Sequence, residues 1–154
     1  MKRLLIIILT LLARPAGLYS QSVMKEIFGG KYSSDPNVTE TLITGQQPFL
    51  SSHRLTTLAT FRGDPQTYES IIEPIVAADG ANAIARDVRY RNGKLQYAYF
   101  VLPPVKKDGK TINRYLYYLN NEKAKRPSVM VIYFEGPIRN TDASKFIKSL
   151  AGSR

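Results

Sequence analysis

The chain contains no cysteine among its 154 residues. This absence excludes disulfide bonds, thiolate metal sites and attachment to lipid through a lipobox cysteine. An apolar core alone must therefore hold the fold together, and a chain of this length is long enough to bury one.

Histidine is also scarce, because His53 is the only one. A single histidine excludes multi-histidine metal sites such as H-E-x-x-H and leaves one possible base for a Ser-His-Asp arrangement. Ser51 and Ser52 precede it, but no G-x-S-x-G elbow is present, so the pattern favours an ordinary exposed loop histidine. Neither G-x-G-x-x-G nor G-x-x-x-x-G-K-[ST] occurs. We expect no metal site and no cofactor.

The chain has no apolar run long enough to cross a membrane as a helix. Its N-terminus carries Lys2 and Arg3 and then an apolar run over residues 4–12 that is broken only by Thr10. A span needs about 20 residues, and Arg14-Pro15 ends this run. The order of charge, short apolar run and small residues predicts a signal peptide over residues 1–20, with cleavage after Ser20. The alternative is a buried N-terminal strand or helix.

Cleavage leaves one domain over residues 21–154 and lowers the formal net charge from +10 to +7, because three cations are removed with the leader. An exported, cysteine-free chain is typical of the bacterial periplasm or cell exterior. A positive protein favours anionic partners, here an anionic glycan or an acidic envelope protein, and the alternative is that the charge serves solubility alone. Export argues against a nucleic-acid partner, and we expect no permanent membrane anchor.

Asp64-Pro65 marks the clearest element boundary, because aspartate caps exposed amides and proline suits the first helical position. The helix that follows should end just before Gly80. Four apolar residues at helical spacing predict its core-facing stripe: Tyr68, Ile71, Ile72 and Ile75.

Asn92-Gly93 predicts a β-hairpin with a two-residue type I′ turn. Counting outwards from this turn pairs Val88 with Tyr97 and separates two faces. The predicted apolar face comprises Ile84, Val88, Tyr90, Leu95, Tyr97, Tyr99 and Val101. The predicted polar face comprises Asp87, Arg89, Arg91, Lys94 and Gln96.

Further strands are predicted over residues 38–44, 55–61, 113–119 and 129–134, and further helices over residues 22–28 and from about residue 140. A sheet with one solvent-exposed face is characteristic of antiparallel pairing. The whole pattern predicts an α+β fold with a mainly antiparallel sheet of about five to six strands and two to three helices packed on one face.

The order of elements also carries a resemblance. A helix follows Phe61-x-Gly63, and another follows the segment Tyr133-Phe134-Glu135-Gly136-Pro137-Ile138, after a hairpin and two charged turns. This arrangement resembles small exported proteins of unknown function from Bacteroides-type bacteria. The resemblance implies a periplasmic or surface location and an α+β fold, and it implies no catalytic residues.

Tyrosine is abundant, with ten residues, most of them on predicted strands. Tyrosine combines a flat apolar ring with a polar tip, which suits sugar stacking or a protein interface. We therefore predict a binding surface on the sheet formed by Arg89, Arg91, Lys94, Tyr115 and Tyr117. The alternative is ordinary cross-strand packing of the tyrosines and arginines that protect an open sheet.

Two carboxylate pairs could serve a hydrolase, Glu69 with Glu73 and Asp87 with Glu135, because glycosidases need two carboxyl groups at a set separation. The sequence favours a different function, a non-enzymatic binding or interaction module of the bacterial cell envelope. A small envelope hydrolase and a self-associating structural protein of the envelope are the alternatives.

Overall fold

The computed structural model describes residues 22–152 and shows a six-stranded antiparallel sheet with four helices in that part of the chain. The elements in chain order are α1 (Ser22–Glu26), β1 (Thr39–Thr44), α2 (Pro48–Ser52), β2 (Thr57–Gly63), α3 (Pro65–Gly80), β3 (Ala85–Arg91), β4 (Lys94–Lys107), β5 (Lys110–Asn121), β6 (Ser128–Gly136) and α4 (Asn140–Gly152). The predicted α+β class is confirmed. The predicted leader lies outside the described residues.

The strands lie in the order β1-β2-β6-β5-β4-β3, and every neighbouring pair is antiparallel. The last strand in the chain, β6, lies near the middle of the sheet and is buried over nearly its whole length. A strand that is apolar at consecutive positions is covered on both sides. The helices accordingly lie on both faces of the sheet, not on one as predicted.

Each face carries its own core. We call the side covered by α1 and α3 the first face; its core joins Val23 and Ile72 from the helices to Val131 of β6. We call the side covered by α2 and α4 the second face; its core joins Leu50 and Phe146 to alternate β6 residues such as Ile132. Adjacent β6 residues therefore contribute to different cores.

The helix α3 begins as predicted. Asp64 accepts a hydrogen bond from the backbone N–H of Thr67 at 3.3 Å, and Pro65 occupies the first turn. The predicted stripe is wrong in one member, because Ile71 is 41% exposed while Ile72 and Val76 are fully buried. The helix also includes Gly80, which packs against the ring of Phe100 with no room for a side chain.

The predicted hairpin forms, with positive φ at Asn92 (51°) and Gly93 (76°) as a type I′ turn requires. Its register differs from the prediction beyond the first pairs. A bulge at Gln96 makes Arg89, rather than Val88, the partner of Tyr97. Because one extra residue reverses the alternation, Leu95 joins the first-face core, whereas Tyr97 packs on the second face beside Arg89.

The short helix α2 was not predicted, since five residues carry too little periodicity to reveal it. It buries Leu50 in the second-face core and returns the chain to the start of β2. No helix within residues 22–152 is both long enough and apolar enough to cross a membrane.

Candidate functional site

A row of polar side chains crosses one end of the sheet on the first face. Thr44 of β1 pairs with Thr57 of β2, which pairs with Glu135 of β6, and Glu135 pairs with Arg114 of β5. Directly opposed residues of neighbouring strands point to the same face. Four strands thus bring four polar side chains side by side.

This row lies within a cleft of about 570 Å³, which we call the basic cleft. Helix α1 and the end of β4 complete its walls. The lining residues are Met24, Lys25, Leu42, Thr44, Thr57, Val105, Lys106, Lys107, Arg114, Tyr133 and Glu135.

Glu135 is the buried centre of the basic cleft, with 8% of its surface exposed. Its Oε2 accepts a hydrogen bond from the Tyr133 hydroxyl at 2.6 Å, and its Oε1 lies 3.0 Å from the Lys107 ammonium. The Thr57 hydroxyl approaches the same Oε1 at 3.5 Å. A buried carboxylate needs such partners, and both oxygens of Glu135 have them.

Arg114 lies on the floor of the cleft and is 6% exposed. Its Nε and Nη2 both donate to the carbonyl oxygen of Pro103, at 2.9 and 2.7 Å, which fixes the plane of the guanidinium. Burial raises the pKa of the Tyr133 phenol and the Glu135 carboxylate raises it further, while Arg114 acts in the opposite direction. Tyr133 therefore stays neutral and able to donate at physiological pH.

Charge dominates the chemistry that the basic cleft offers. Four cations line it, from Lys25, Lys106, Lys107 and Arg114, against the single carboxylate of Glu135 among the lining residues of the described chain. Glu135 is already bonded to Lys107 and Tyr133. The cleft is thus a positively charged surface with apolar patches, suited to an anion.

A family model described as a family of unknown function (DUF6108) matches residues 18–147. The chain belongs to the DUF6108 family. No curated protein matches it significantly, and neither does any solved structure. Membership agrees with the resemblance to proteins of unknown function, while the bacterial group and the export implied by that resemblance stay predictions.

In this DUF6108 chain, two of the predicted binding residues are buried in the second-face core. Tyr115 is fully buried and donates to Asn140 Oδ1 of α4 at 2.6 Å. Tyr117 is 5% exposed. Neither ring is accessible to a ligand, because α4 covers the face that we expected to be open.

The three predicted cations lie at the β3–β4 hairpin. Arg89 lies over the ring of Tyr97, with its Cζ 5.1 Å from the ring centre. Lys94 forms an ion pair with Glu69 of α3 at 2.9 Å, and this hydrogen bond lowers the pKa of Glu69 and raises that of Lys94. Arg91 is exposed beside the turn. The ring of Tyr97 contacts that of Tyr117, so Arg89 lies on the same face of the sheet as Tyr117. The five predicted binding residues nevertheless form no common surface.

Of the two predicted carboxylate pairs, one is separated by the sheet, and the other, Glu69 with Glu73, lies one turn apart on α3. Asp87 pairs with Tyr99, whose ring packs on the second face, whereas Glu135 is on the first. Glu73 accepts from the backbone N–H of Leu95 at 3.0 Å, and Glu69 bonds Lys94, so each serves α3–β4 packing.

His53 is less exposed than predicted. Its ring lies between those of Phe49 and Phe146, with both ring centres 4.9 Å away. Within residues 22–152 no three histidine, cysteine, aspartate or glutamate side chains lie together as metal ligands would.

Sequence reasoning named Glu135 but missed its partners. Tyr133 and Glu135 are two apart on a strand, so their shared face could be read from the sequence. Lys107 and Arg114 lie on either side of the tight turn at Asp108 and Gly109, where both φ angles are positive, but the β4–β5 register shifts by one residue between Leu102 and Val105, before Arg114 is paired. Their meeting with Glu135 depends on β6 lying beside β5; the apolar run over residues 129–134 predicts a central strand but not which strands are its neighbours.

Proposed function

We propose that this chain is an exported, non-enzymatic binding module of the bacterial cell envelope that holds an anionic partner in the basic cleft. The charge of the cleft carries the proposal, since four cations line it against one carboxylate, which pairs with Lys107, so that positive charge remains in excess. A concave surface lined by one sign of charge raises the local concentration of oppositely charged ligands. Its partner would be an anionic glycan or an acidic envelope protein.

Export is supported by the sequence of residues 1–20, which has two cations near its N-terminus, a short apolar run and small residues before the predicted cleavage site. The mature domain would then be residues 21–154, located in the periplasm or outside the cell.

The hairpin cations Arg89, Arg91 and Lys94 are the alternative surface for the same partner. They receive less support, because Lys94 is paired with Glu69 and Arg89 lies against Tyr97. A hydrolase that uses Glu135 with Asp87 would need both carboxylates on one face of the sheet, and they lie on opposite faces. Self-association through the edge strand β3 would bring the exposed Arg86, Arg89 and Arg91 of two copies together, which places like charges side by side.

A binding experiment tests the cleft. Residues 21–154 are incubated with envelope protein and envelope polysaccharide fractions at low and high salt. We expect salt-sensitive binding to one fraction that falls at least about tenfold in Lys25→Glu/Lys106→Glu, because two attractive charges become repulsive.

Arg89→Glu/Arg91→Glu is the matched control, since it changes the net charge equally at the hairpin. We expect this variant to bind like the wild type. Equal losses in the two variants would contradict a defined site, and a loss confined to the hairpin variant would move the site to β3.

Export has its own test. The full chain is expressed in a Gram-negative host, and the mass of the product in the periplasm and medium is measured. We expect the mass of residues 21–154. A full-length product confined to the cytoplasm would contradict the exported part of the proposal and leave the binding part to the experiment above.

A further inference from the structure

We infer that the partner in the basic cleft is an acidic peptide segment with apolar side chains, lying extended across the ends of the strands. This inference rests on the proposed function and names the class of ligand that the same site takes. It commits to a peptide rather than a glycan because of the apolar surface, the shape and the charge of the cleft.

Apolar side chains lie among the cations of the cleft. Met24, Leu42 and Val105 all contribute to its lining. Leu42 is 47% exposed, although it lies on a strand beside the buried first-face core. An exposed leucine in a concave surface is stabilised by contact with an apolar ligand group. Free inorganic anions and highly charged polymers lack such groups.

The cleft is elongated. Its lining residues come from β1, β2, β6, β5 and β4, which are consecutive neighbours in the sheet. Five strands at a spacing of about 4.8 Å span roughly 19 Å, which is the length of about six residues of extended peptide. Cations from α1 and from the end of β4 line the cleft, so carboxylates at alternate ligand positions would find partners along it.

An acidic glycan fits these walls less well. Sugars are commonly held against an exposed aromatic ring, which offers a flat apolar surface. Tyr133 is the aromatic residue among the described lining residues, and it is 3% exposed because its ring belongs to the first-face core. The cleft thus presents aliphatic contacts and charge rather than an aromatic platform.

The N-terminal segment of the chain itself is an unsuitable occupant. Residues 1–20 contain Lys2, Arg3 and Arg14 and no acidic residue. Placing these cations beside Lys25, Lys106 and Lys107 would bring like charges together. Charge complementarity therefore favours a separate acidic chain.

The test is an NMR titration of ¹⁵N-labelled residues 21–154 with three probes of equal net charge. The probes are a peptide alternating Glu and Val, a peptide alternating Glu and Gly, and an oligogalacturonate. We expect the Glu/Val peptide to bind at least about fivefold more tightly than either other probe, because only its side chains bury against Leu42. The largest shifts should be at Leu42, Thr44, Thr57 and Val105.

Two variants locate the apolar contribution. Leu42→Thr should weaken binding of the Glu/Val peptide about fivefold and leave the other two probes unchanged, since threonine keeps the strand but loses the apolar contact. Ile84→Thr is the control, because Ile84 is 64% exposed and does not line the cleft. Amide spectra that are unchanged away from the substituted position would show that each variant is folded.

The outcomes separate the inference from the proposed function. Equal or tighter binding of oligogalacturonate at the same residues would overturn the peptide inference and leave an anionic partner in place. Binding of no probe, together with full envelope binding by Lys25→Glu/Lys106→Glu, would overturn both. Preference for the Glu/Val peptide that survives in Leu42→Thr would also contradict the inference.

Discussion

Glu135 is a buried carboxylate in a cleft whose other charged lining residues are cations, so replacing it separates a binding role from a catalytic one. In Glu135→Gln we expect affinity for an acidic peptide to rise about threefold, because one repulsive charge is removed at close range. The glutamine carbonyl can still accept from Tyr133, and the lost partner, Lys107, is 61% exposed. The substitution should therefore lower the free energy of unfolding only slightly.

Asp87→Asn is the matched control, since it makes the same chemical change on the other face of the sheet. Peptide affinity is measured for both variants by calorimetric titration. A fall in affinity in Glu135→Gln, or a hydrolytic turnover that this variant abolishes, would argue for a direct role of the carboxylate instead.

Gly136 shows how a single residue sets the distance between two segments. A Cβ at this position would clash with the carbonyl oxygen of Arg54 and would lie 2.7 Å from the Cα of Leu55. Both contacts involve backbone, which cannot move aside as a flexible side chain can. We expect Gly136→Ala to lower the free energy of unfolding by at least about 2 kcal/mol.

Urea unfolding followed by circular dichroism measures this loss. Gly152→Ala is the control, because a Cβ there meets no atom within 4 Å. We expect that variant to change stability by less than about 0.5 kcal/mol. A near-neutral Gly136→Ala would mean that β6 and the segment after α2 separate easily.

At the scale of elements, one hydrogen bond connects the loop before β1 to helix α3. The Tyr68 hydroxyl donates to Asp35 Oδ2 at 2.6 Å. This bond lowers the pKa of Asp35 and raises the pKa of Tyr68 to about 12. Tyr68 is therefore a neutral donor over the whole acidic and neutral range, and the state of Asp35 controls the bond.

The sign of the pH dependence follows from the lowered pKa of Asp35. Its contribution to stability is present above the ordinary value of 3.8 and is lost as the pH falls through the lowered folded value. We expect Tyr68→Phe to be less stable than the wild type at neutral pH and the difference to shrink below pH 3.8. Urea unfolding over this pH range measures it.

Tyr90→Phe is the control for the loss of a phenolic hydroxyl as such, since Tyr90 is 65% exposed. Its effect on unfolding should be small and the same at each pH. A difference between wild type and Tyr68→Phe that persists unchanged in acid would mean that the carboxylate charge of Asp35 contributes nothing to this contact.

Elements were predictable where a few adjacent residues determine the backbone. Asp64-Pro65 predicts the start of α3, and Asn92-Gly93 predicts the hairpin turn, because each acts through its own φ angles and hydrogen bonds. The bulge at Gln96 was not predictable in this way. It depends on which strand residues fit the two cores, and it reversed the face of Tyr97.

The candidate site was less predictable than the fold. Tyr115 and Tyr117 lie two apart on β5 and share a face, and their burial follows from α4, which packs from the far end of the sequence. The basic cleft combines five strands and α1, so its members are separated by up to about a hundred positions. Strand order decides such a site, and strand order has no local signal.

At the scale of the whole molecule, the two cores share one sheet. Val131 and Ile132 are adjacent in β6 and fully or almost fully buried, yet they pack in the first-face and second-face cores respectively. Neither core can lose its packing without disturbing the strand that supports the other. The described residues should therefore unfold as one cooperative unit.

Val131→Ala and Ile132→Ala test this coupling. Each should lower the free energy of unfolding by about 2 kcal/mol, through lost burial and the cavity left behind. NMR signals of Tyr118 in the first-face core and Tyr117 in the second report the two sides separately during urea unfolding. We expect both signals to share one lowered midpoint in each variant.

Ile84→Ala provides the baseline, because a side chain that is 64% exposed contributes little to either core. If Val131→Ala shifted the Tyr118 transition and left that of Tyr117 in place, the two faces would be separate cooperative units. A shared midpoint would instead mean that ligand binding in the basic cleft stabilises the second face as well, since a ligand that binds only the folded state stabilises every part of its cooperative unit.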